Sequence, residues 1–256
     1  MKQLTAFINK EFMEIFRTGK GYILLVIFII FGIMNPAFAK MTPWLFEMLA
    51  DTMKEQGITL GTITVTAMTS WEQYYKNMSM EFIVFVVMFA GILTSEYQKG
   101  TLINMLTKGL PRWKVILAKG VVALVSWSLC YWLCFGITYA YNSYFWDNSI
   151  ANNIAFAAFG SYLFGLWLIS FILLCSAFLN SGSAVLLTTG VIYAINYLLS
   201  MIPDVADYLP TKLTNGLELL TGATQVKDYI AATAITVLLM ILSSAATVAA
   251  FNRKRI

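Results

Sequence analysis

From residue 148 to residue 203 the chain carries no Asp, Glu, Lys, Arg or His, although Asp147 and Asp204 bound the interval on either side. A helix rises about 1.5 Å per residue and the bilayer hydrocarbon is about 30 Å thick, so one crossing takes about 20 residues. The interval is far too long for a single crossing and must turn back on itself. Asn180-Ser181-Gly182-Ser183 is a cluster of turn residues within it. Residues 153–179 and 184–202 are therefore expected to form two spans joined by a tight reversal.

The rest of the chain follows the same pattern. Apolar residues make up 59% of the sequence and charged residues 12%, against about 45–50% and about 25% in soluble domains. Further spans are expected at 21–39, 78–95, 115–140 and 229–251, giving an all-α integral membrane fold of six helices. The first apolar run has full spanning length and follows an amphipathic leader, so it reads as a span rather than a cleaved signal. Glu81 lies in the second span and is expected near its outer end, snorkelling into the interface. On that placement no charge sits deep in the membrane, which argues against an ion-coupled pump.

Basic residues orient the helices. With the N-terminus inside, the inner segments hold twelve basic residues against three acidic ones, a net charge of +9. The outer segments hold five basic against ten acidic, a net charge of −5, and the two recover the +4 of the whole chain. Both termini are thus expected in the cytoplasm of a bacterial cell, and the basic surplus reads as topology rather than nucleic-acid binding. His is absent, which removes His-dependent proton relays and His metal or catalytic sites. Cys130, Cys134 and Cys175 all lie in apolar runs, where a free thiol packs as a small hydrophobe.

Three polar segments carry the functional candidates. In the leader, 1–20, Leu4, Phe7, Ile8, Phe12, Ile15 and Phe16 share a helical stripe while Lys10, Glu11, Glu14 and Arg17 fall away from it, as in an elbow helix lying in the inner interface. In the inner segment, 96–110, Glu96, Lys99, Thr101, Asn104 and Thr107 are polar above Leu102 and its apolar neighbours, and Gly109 and Pro111 end the helix. Outside, 40–77 is expected to be a loop containing an amphipathic helix at 44–56 and a Thr-, Ile- and Val-rich extended stretch at 58–70. The other outer segment, 203–227, holds breakers at Pro203, Pro210, Asn215-Gly216 and Gly222 around a short apolar piece.

The series Glu96, Gly100-Thr101-Leu102, Thr107, Gly109, Arg112 and Leu117-Ala118-Lys119 resembles the signature after the second helix of ABC-2 type transporter permeases. The leader, the six spans and the basic C-terminal residues resemble that family as well. The resemblance implies that 96–110 is a coupling helix docking on an ATP-hydrolysing subunit through Glu96, Lys99, Gly100, Thr101, Leu102, Asn104 and Thr107. It implies that Phe7, Phe12, Phe16 and Arg17 of the elbow helix contact the same subunit, with a smaller contact at 180–183. It further implies a pair of permeases with two ATPases, and an outer end closed by short re-entrant helices at 203–227. No Gly-x-x-x-x-Gly-Lys-Ser/Thr run occurs in the sequence, so ATP and Mg are expected on the partner and no cofactor on this chain.

Thr189, Tyr193, Asn196 and Ser200 are spaced to share one face of the fifth span, where they are expected either to bond neighbouring helices or to line a cavity. With Phe85 and Phe89 of the second span they are the candidate translocation path. The reading favoured by the sequence is a permease exporting amphipathic or hydrophobic cargo, peptides first, and the resemblance extends to exporters of phenol-soluble modulins and antimicrobial-peptide immunity permeases. Small drugs, lipids or sodium are the alternative cargo, and a non-transporting scaffold or sensor subunit is the alternative class.

Overall fold

The computed structural model describes residues 2–54, 64–107 and 109–254. Among them the chain is helical with no strand: α1 (Lys2–Arg17), α2 (Lys20–Lys54), α3 (Ala67–Phe89), α4 (Thr94–Gln98), α5 (Thr101–Thr107), α6 (Arg112–Phe145), α7 (Ile154–Phe178), α8 (Gly182–Leu199), α9 (Pro203–Ala206), α10 (Gly216–Thr221) and α11 (Ile230–Arg253), with short 3-10 turns between. Six of these, α2, α3, α6, α7, α8 and α11, are long and apolar enough to cross a membrane. The six-span, all-α expectation is borne out.

The first two spans differ in extent from the sequence reading. Residues 40–54 are not loop, because α2 continues through Pro36 and Pro43 to Lys54. A proline inside a helix frees the carbonyl four residues before it. For Pro36 that carbonyl belongs to Gly32, and it accepts a hydrogen bond from the Thr138 hydroxyl of α6 at 3.1 Å. The neighbouring helix thus supplies the donor that proline lacks. The amphipathic stretch beginning at Trp44 is the continuation of α2, and residues 55–63 lie outside the described residues. Of the stretch read as extended, 64–66 has no regular structure and residues from Ala67 onward are helical.

Because α3 starts at Ala67 rather than at residue 78, Glu81 lies within the helix and not near its outer end. It is fully buried, and the snorkelling expectation is corrected. Trp71, Tyr74, Met78, Phe82, Phe85 and Phe89 recur on the same buried face of α3. Against them stands Trp127 of α6, with ring centroids 5.6 Å from Phe82, 5.1 Å from Phe85 and 6.0 Å from Phe28 of α2. Helix α6 runs from Arg112 to Phe145, longer at both ends than 115–140.

Helix α7 is the central element and the most deeply buried span. Its Ala157, Ala158, Gly160, Ser161 and Gly165 are buried, small side chains that let neighbouring helices approach closely. The reversal at 180–183 is capped by the Ser181 hydroxyl, which accepts from the Ala184 N–H at 3.2 Å, and α8 returns along the bundle with only Val185 and Thr189 buried. Where α7 begins, α10 and the 3-10 turn Pro210–Thr214 pack against it. The Tyr229 hydroxyl donates to the Asn215 carbonyl at 2.9 Å and the Asn152 N–H to that of Leu220 at 3.0 Å.

Gly165 supports a direct test of this packing, since a Cβ there would collide with the Trp127 ring. Gly165→Ala is expected to destabilise the protein by about 1–3 kcal/mol, the usual cost of overpacking. A thermal unfolding midpoint in detergent equal to that of the parent would contradict this packing of α7 on α6.

Candidate functional site at the basic end of the bundle

One end of the bundle gathers α1, α4, α5, the start of α6, the reversal at 180–183 and the end of α11. At its centre is Lys119 of α6, whose side chain is only 2% exposed. Its ammonium lies 2.7 Å from Glu11 Oε2 of α1 and 3.2 Å from Glu96 Oε1 of α4. Lys10 joins from the surface, with Nζ at 3.0 Å from Glu11, 2.7 Å from Glu14 and 2.9 Å from Glu96. The second oxygen of Glu96 accepts a hydrogen bond from the Thr101 hydroxyl at 3.0 Å. A buried charge is tolerable only when paired and hydrogen-bonded, and here each buried group has at least two partners.

Carboxylate oxygens of Glu11, Glu14 and Glu96 come within 4.8 Å of one another, a spacing that suits a cation. The Lys10 ammonium fills that role. Burial opposes its charge, but Glu14, Glu96 and Glu11 outweigh burial and raise its pKa above the ordinary 10.5. The contribution of Lys10 to stability is therefore complete below pH 10.5 and is lost as pH climbs through the raised value. Beside the cluster, Glu14, Thr18, Lys20, Ser95 and Lys99 face a cavity of about 140 Å³ backed by Leu24, Met88 and Phe89.

Around this hub the polar segment folds in two pieces rather than one. Gly100 has a φ of +65°, a left-handed conformation that L side chains rarely adopt, and it separates α4 from α5. Leu102 is fully buried in a small apolar cluster with Phe7, Leu93, Val115 and Ile116. The Arg112 guanidinium donates to the carbonyls of Phe251 at 3.0 Å and Asn252 at 3.2 Å, placing a cation at the negative end of α11. Lys254 donates to the Leu179 carbonyl at 3.1 Å, and its ammonium sits 4.1 Å from the centre of the Tyr97 ring.

The structure thus joins Glu96, Thr101 and Lys119 of the series singled out in the sequence. Glu96 and Leu102 face inward, whereas Gln98, Lys99, Ile103 and Thr107 are exposed. The Thr107 hydroxyl donates to the Ile103 carbonyl at 3.1 Å. The side chain of Asn104 lies outside the described residues. In α1, Phe7 is buried and Phe12 half-buried, Phe16 is exposed and packs edge-on against Tyr22 at 5.4 Å, and Arg17 is exposed.

Glu11 was read as falling away from the leader's apolar stripe and instead lies in the buried interface, 5% exposed. The signal was present: Glu11 follows Phe7 by four residues and Leu4 by seven, which places it on the line of the stripe. Nothing in the spacing marked Lys119 as its partner, because the two are joined only by the tertiary fold.

The path candidates separate. Phe85 and Phe89 are buried and stack on each other at 4.4 Å, facing the core beside Trp127. A narrow crevice of about 100 Å³ between α3, α7 and α8 is lined instead by Phe82, Ile83, Val86, Thr189 and Tyr193. The Tyr193 hydroxyl reaches Ser79 at 3.4 Å. Asn196 and Ser200 bond back to their own helix, at the Ile192 and Tyr197 carbonyls.

Residues 5–255 match the family described as ABC-2 family transporter protein. This chain belongs to that family. The permease is also 23% identical over 225 residues, 85% of this chain and 84% of the relative, to the transmembrane protein YxlG of Bacillus subtilis. The family match runs over nearly the whole chain, all six candidate spans included, so the chain is the membrane permease of an ABC transporter.

Removing the buried cation is expected to be far more damaging than removing the surface one. Lys119→Met leaves Glu11 with Lys10 alone and deprives Glu96 of one partner, a loss of about 3–5 kcal/mol. Lys10→Met, at a half-exposed position, should cost about 1 kcal/mol or less. Unfolding midpoints of the two variants in detergent check the order, and equal midpoints would show that Lys119 is not the anchor.

Proposed function

We propose that the permease works as a homodimer with a separate ATP-hydrolysing subunit, exporting amphipathic or hydrophobic molecules, amphipathic peptides first, out of the bacterial cell. Both termini lie in the cytoplasm on this reading, and the basic end of the bundle is the end that meets the ATPase. What carries the reading is the combination of an exposed patch and a rigid mount. Ile103 is 48% exposed, an apolar residue on α5 whose neighbours in the chain Gln98, Lys99 and Thr107 are exposed as well, and α5 follows directly on α4, which is anchored by the Glu11, Glu96 and Lys119 cluster. Exposed apolar residues rimmed by polar ones mark interaction surfaces. In this arrangement Glu96, Thr101 and Leu102 act as positioning residues, while Lys99, Ile103 and Thr107 present the contact. Gly100 sets the angle between the two helices.

Cargo is proposed to pass along α8 where two permeases meet. Leu187, Val191, Ile195 and Leu198 are exposed along that helix, with Asn196 and Ser200 half-buried beside them and Thr189 and Tyr193 at its crevice. An apolar face carrying hydroxyl and amide groups suits a molecule that is itself two-faced.

Two measurements test the proposal. Ile103→Asp combined with Lys99→Glu should abolish copurification of the ATPase while leaving the permease inserted and folded, and normal copurification would refute the docking surface. Amphipathic peptides should stimulate ATP hydrolysis by the reconstituted complex, and Asn196→Leu should change that stimulation. Stimulation by sodium or small lipophilic cations alone would overturn the peptide cargo and leave the docking surface standing.

A further inference from the structure

Glu81 is a carboxyl group inside a membrane span with no exposed surface and no counter-ion. None of the ion pairs among the described residues includes it. Its Oε1 accepts a hydrogen bond from the Cys134 thiol of α6 at 3.2 Å, and its Oε2 has no partner among the described residues. Acidic residues within spans are rare and mark ion or proton pathways, and a buried carboxylate without a cation is strongly disfavoured against its neutral acid.

The ionisable groups facing it are few. Cys130, Tyr131 and Cys134 come from α6, and Tyr74 from α3 itself. From α2, α7, α8 and α10, which also pack against α3, no charged group reaches it in an ion pair or hydrogen bond among the described residues. Metal cations such as calcium need several oxygen ligands. A single carboxyl beside a thiol and phenols does not provide them, whereas a proton needs only one oxygen.

The seam that holds Glu81 is polar for more than two turns. On α6, Cys134, Thr138 and Asn142 recur every four residues and are all fully buried. Asn77 of α3 donates to Asn35 of α2 at 2.8 Å, and Asn35 donates to Thr138 at 3.4 Å. Both side-chain polar atoms of Asn142 and the Tyr74 hydroxyl lack hydrogen-bond partners among the described residues. Buried polar atoms left without partners are uncommon and call for an explanation. Here they extend from Glu81 along the α2, α3 and α6 seam toward the end opposite the basic hub.

We propose that Glu81 is an intramembrane proton-binding site and that its proton latches α3 against α6. With the proton bound, the neutral acid packs against Cys134 and the seam is closed. On release of the proton, the carboxylate requires hydration, water enters along Asn77, Thr138 and Asn142, and the seam opens. The proton leaves Glu81 for that water, so charge is conserved without any further reactant. This inference does not depend on the identity of the cargo or on the docking of an ATPase.

Infrared spectroscopy of the full permease in lipid vesicles reads the site directly. A protonated-carboxyl band is expected at neutral pH, fading toward alkaline pH, absent at all pH in Glu81→Gln, and shifted but retained in Cys134→Ala as its hydrogen bond is lost. Should Glu81→Gln fail to fold, Cys134→Ala still identifies the band. The latch is read separately in a Cys130→Ala/Cys175→Ala background, where Cys134 is the only thiol. At alkaline pH a membrane-permeant alkylating reagent should modify Cys134 several-fold faster with Glu81 than with Gln at that position. Absence of a protonated-carboxyl band that responds to either substitution overturns the site, and equal alkylation rates at the same pH overturn the latch.

Discussion

A lysine ammonium with almost no exposed surface organises one whole end of this protein. Lys119 reaches one carboxylate on α1 and another on α4, beside the apolar cluster that these elements also share. A charge buried this way gains little over a well-packed apolar side chain, but losing one of its partners is costly. The cluster therefore acts mainly as a registry device: α1, α4 and α6 can meet only in the arrangement that pairs every charge. The small apolar core of Phe7, Leu93, Leu102 and Val115 forms where that arrangement brings the helices together.

Farther along the bundle the same seam of α2, α3 and α6 is held by a different set of polar contacts. Pro36 leaves the Gly32 carbonyl without its helical donor, and Thr138 provides one. Asn35 and Asn77 extend that bond to α3. In a membrane the freed backbone group has no water to turn to, so helix α2 can pass a proline only because α6 carries a hydroxyl at the matching height. Aromatic packing around Trp127 fills the space between this polar seam and the hub.

Much of the architecture was legible because lipid imposes a simple rule of length. The uncharged interval from 148 to 203 admits only a hairpin, and its turn falls at Ser181 where a hydroxyl caps the next helix. What escaped the sequence reading depends on tertiary partners. Lys40 bounds the charge-free run expected as the first span, yet α2 continues past it to Lys54. Lys76 bounds the apolar run that begins at Met78, so the run alone puts Glu81 near the membrane surface, whereas α3 begins at Ala67 and encloses it. The family resemblance assigns Glu96 to the docking contact, while its side chain turns inward to Lys119. Glu96, Thr101 and Lys119 of the series meet in the structure, but that Glu96 faces inward depends on a cation more than twenty residues away in the chain.

The central claim is that the exposed faces of α4 and α5, mounted on the Lys119 cluster, receive the ATP-hydrolysing subunit. Photo-crosslinking in cells tests it most directly, with a photoreactive residue placed at Ile103, at the neighbouring buried position Leu102, or at Tyr144, which is 82% exposed near the far end of α6. The account predicts an adduct with a nucleotide-binding protein from Ile103 and none from Tyr144, with Leu102 crosslinking only within the permease. An adduct with that protein from Tyr144 and none from Ile103 would contradict it.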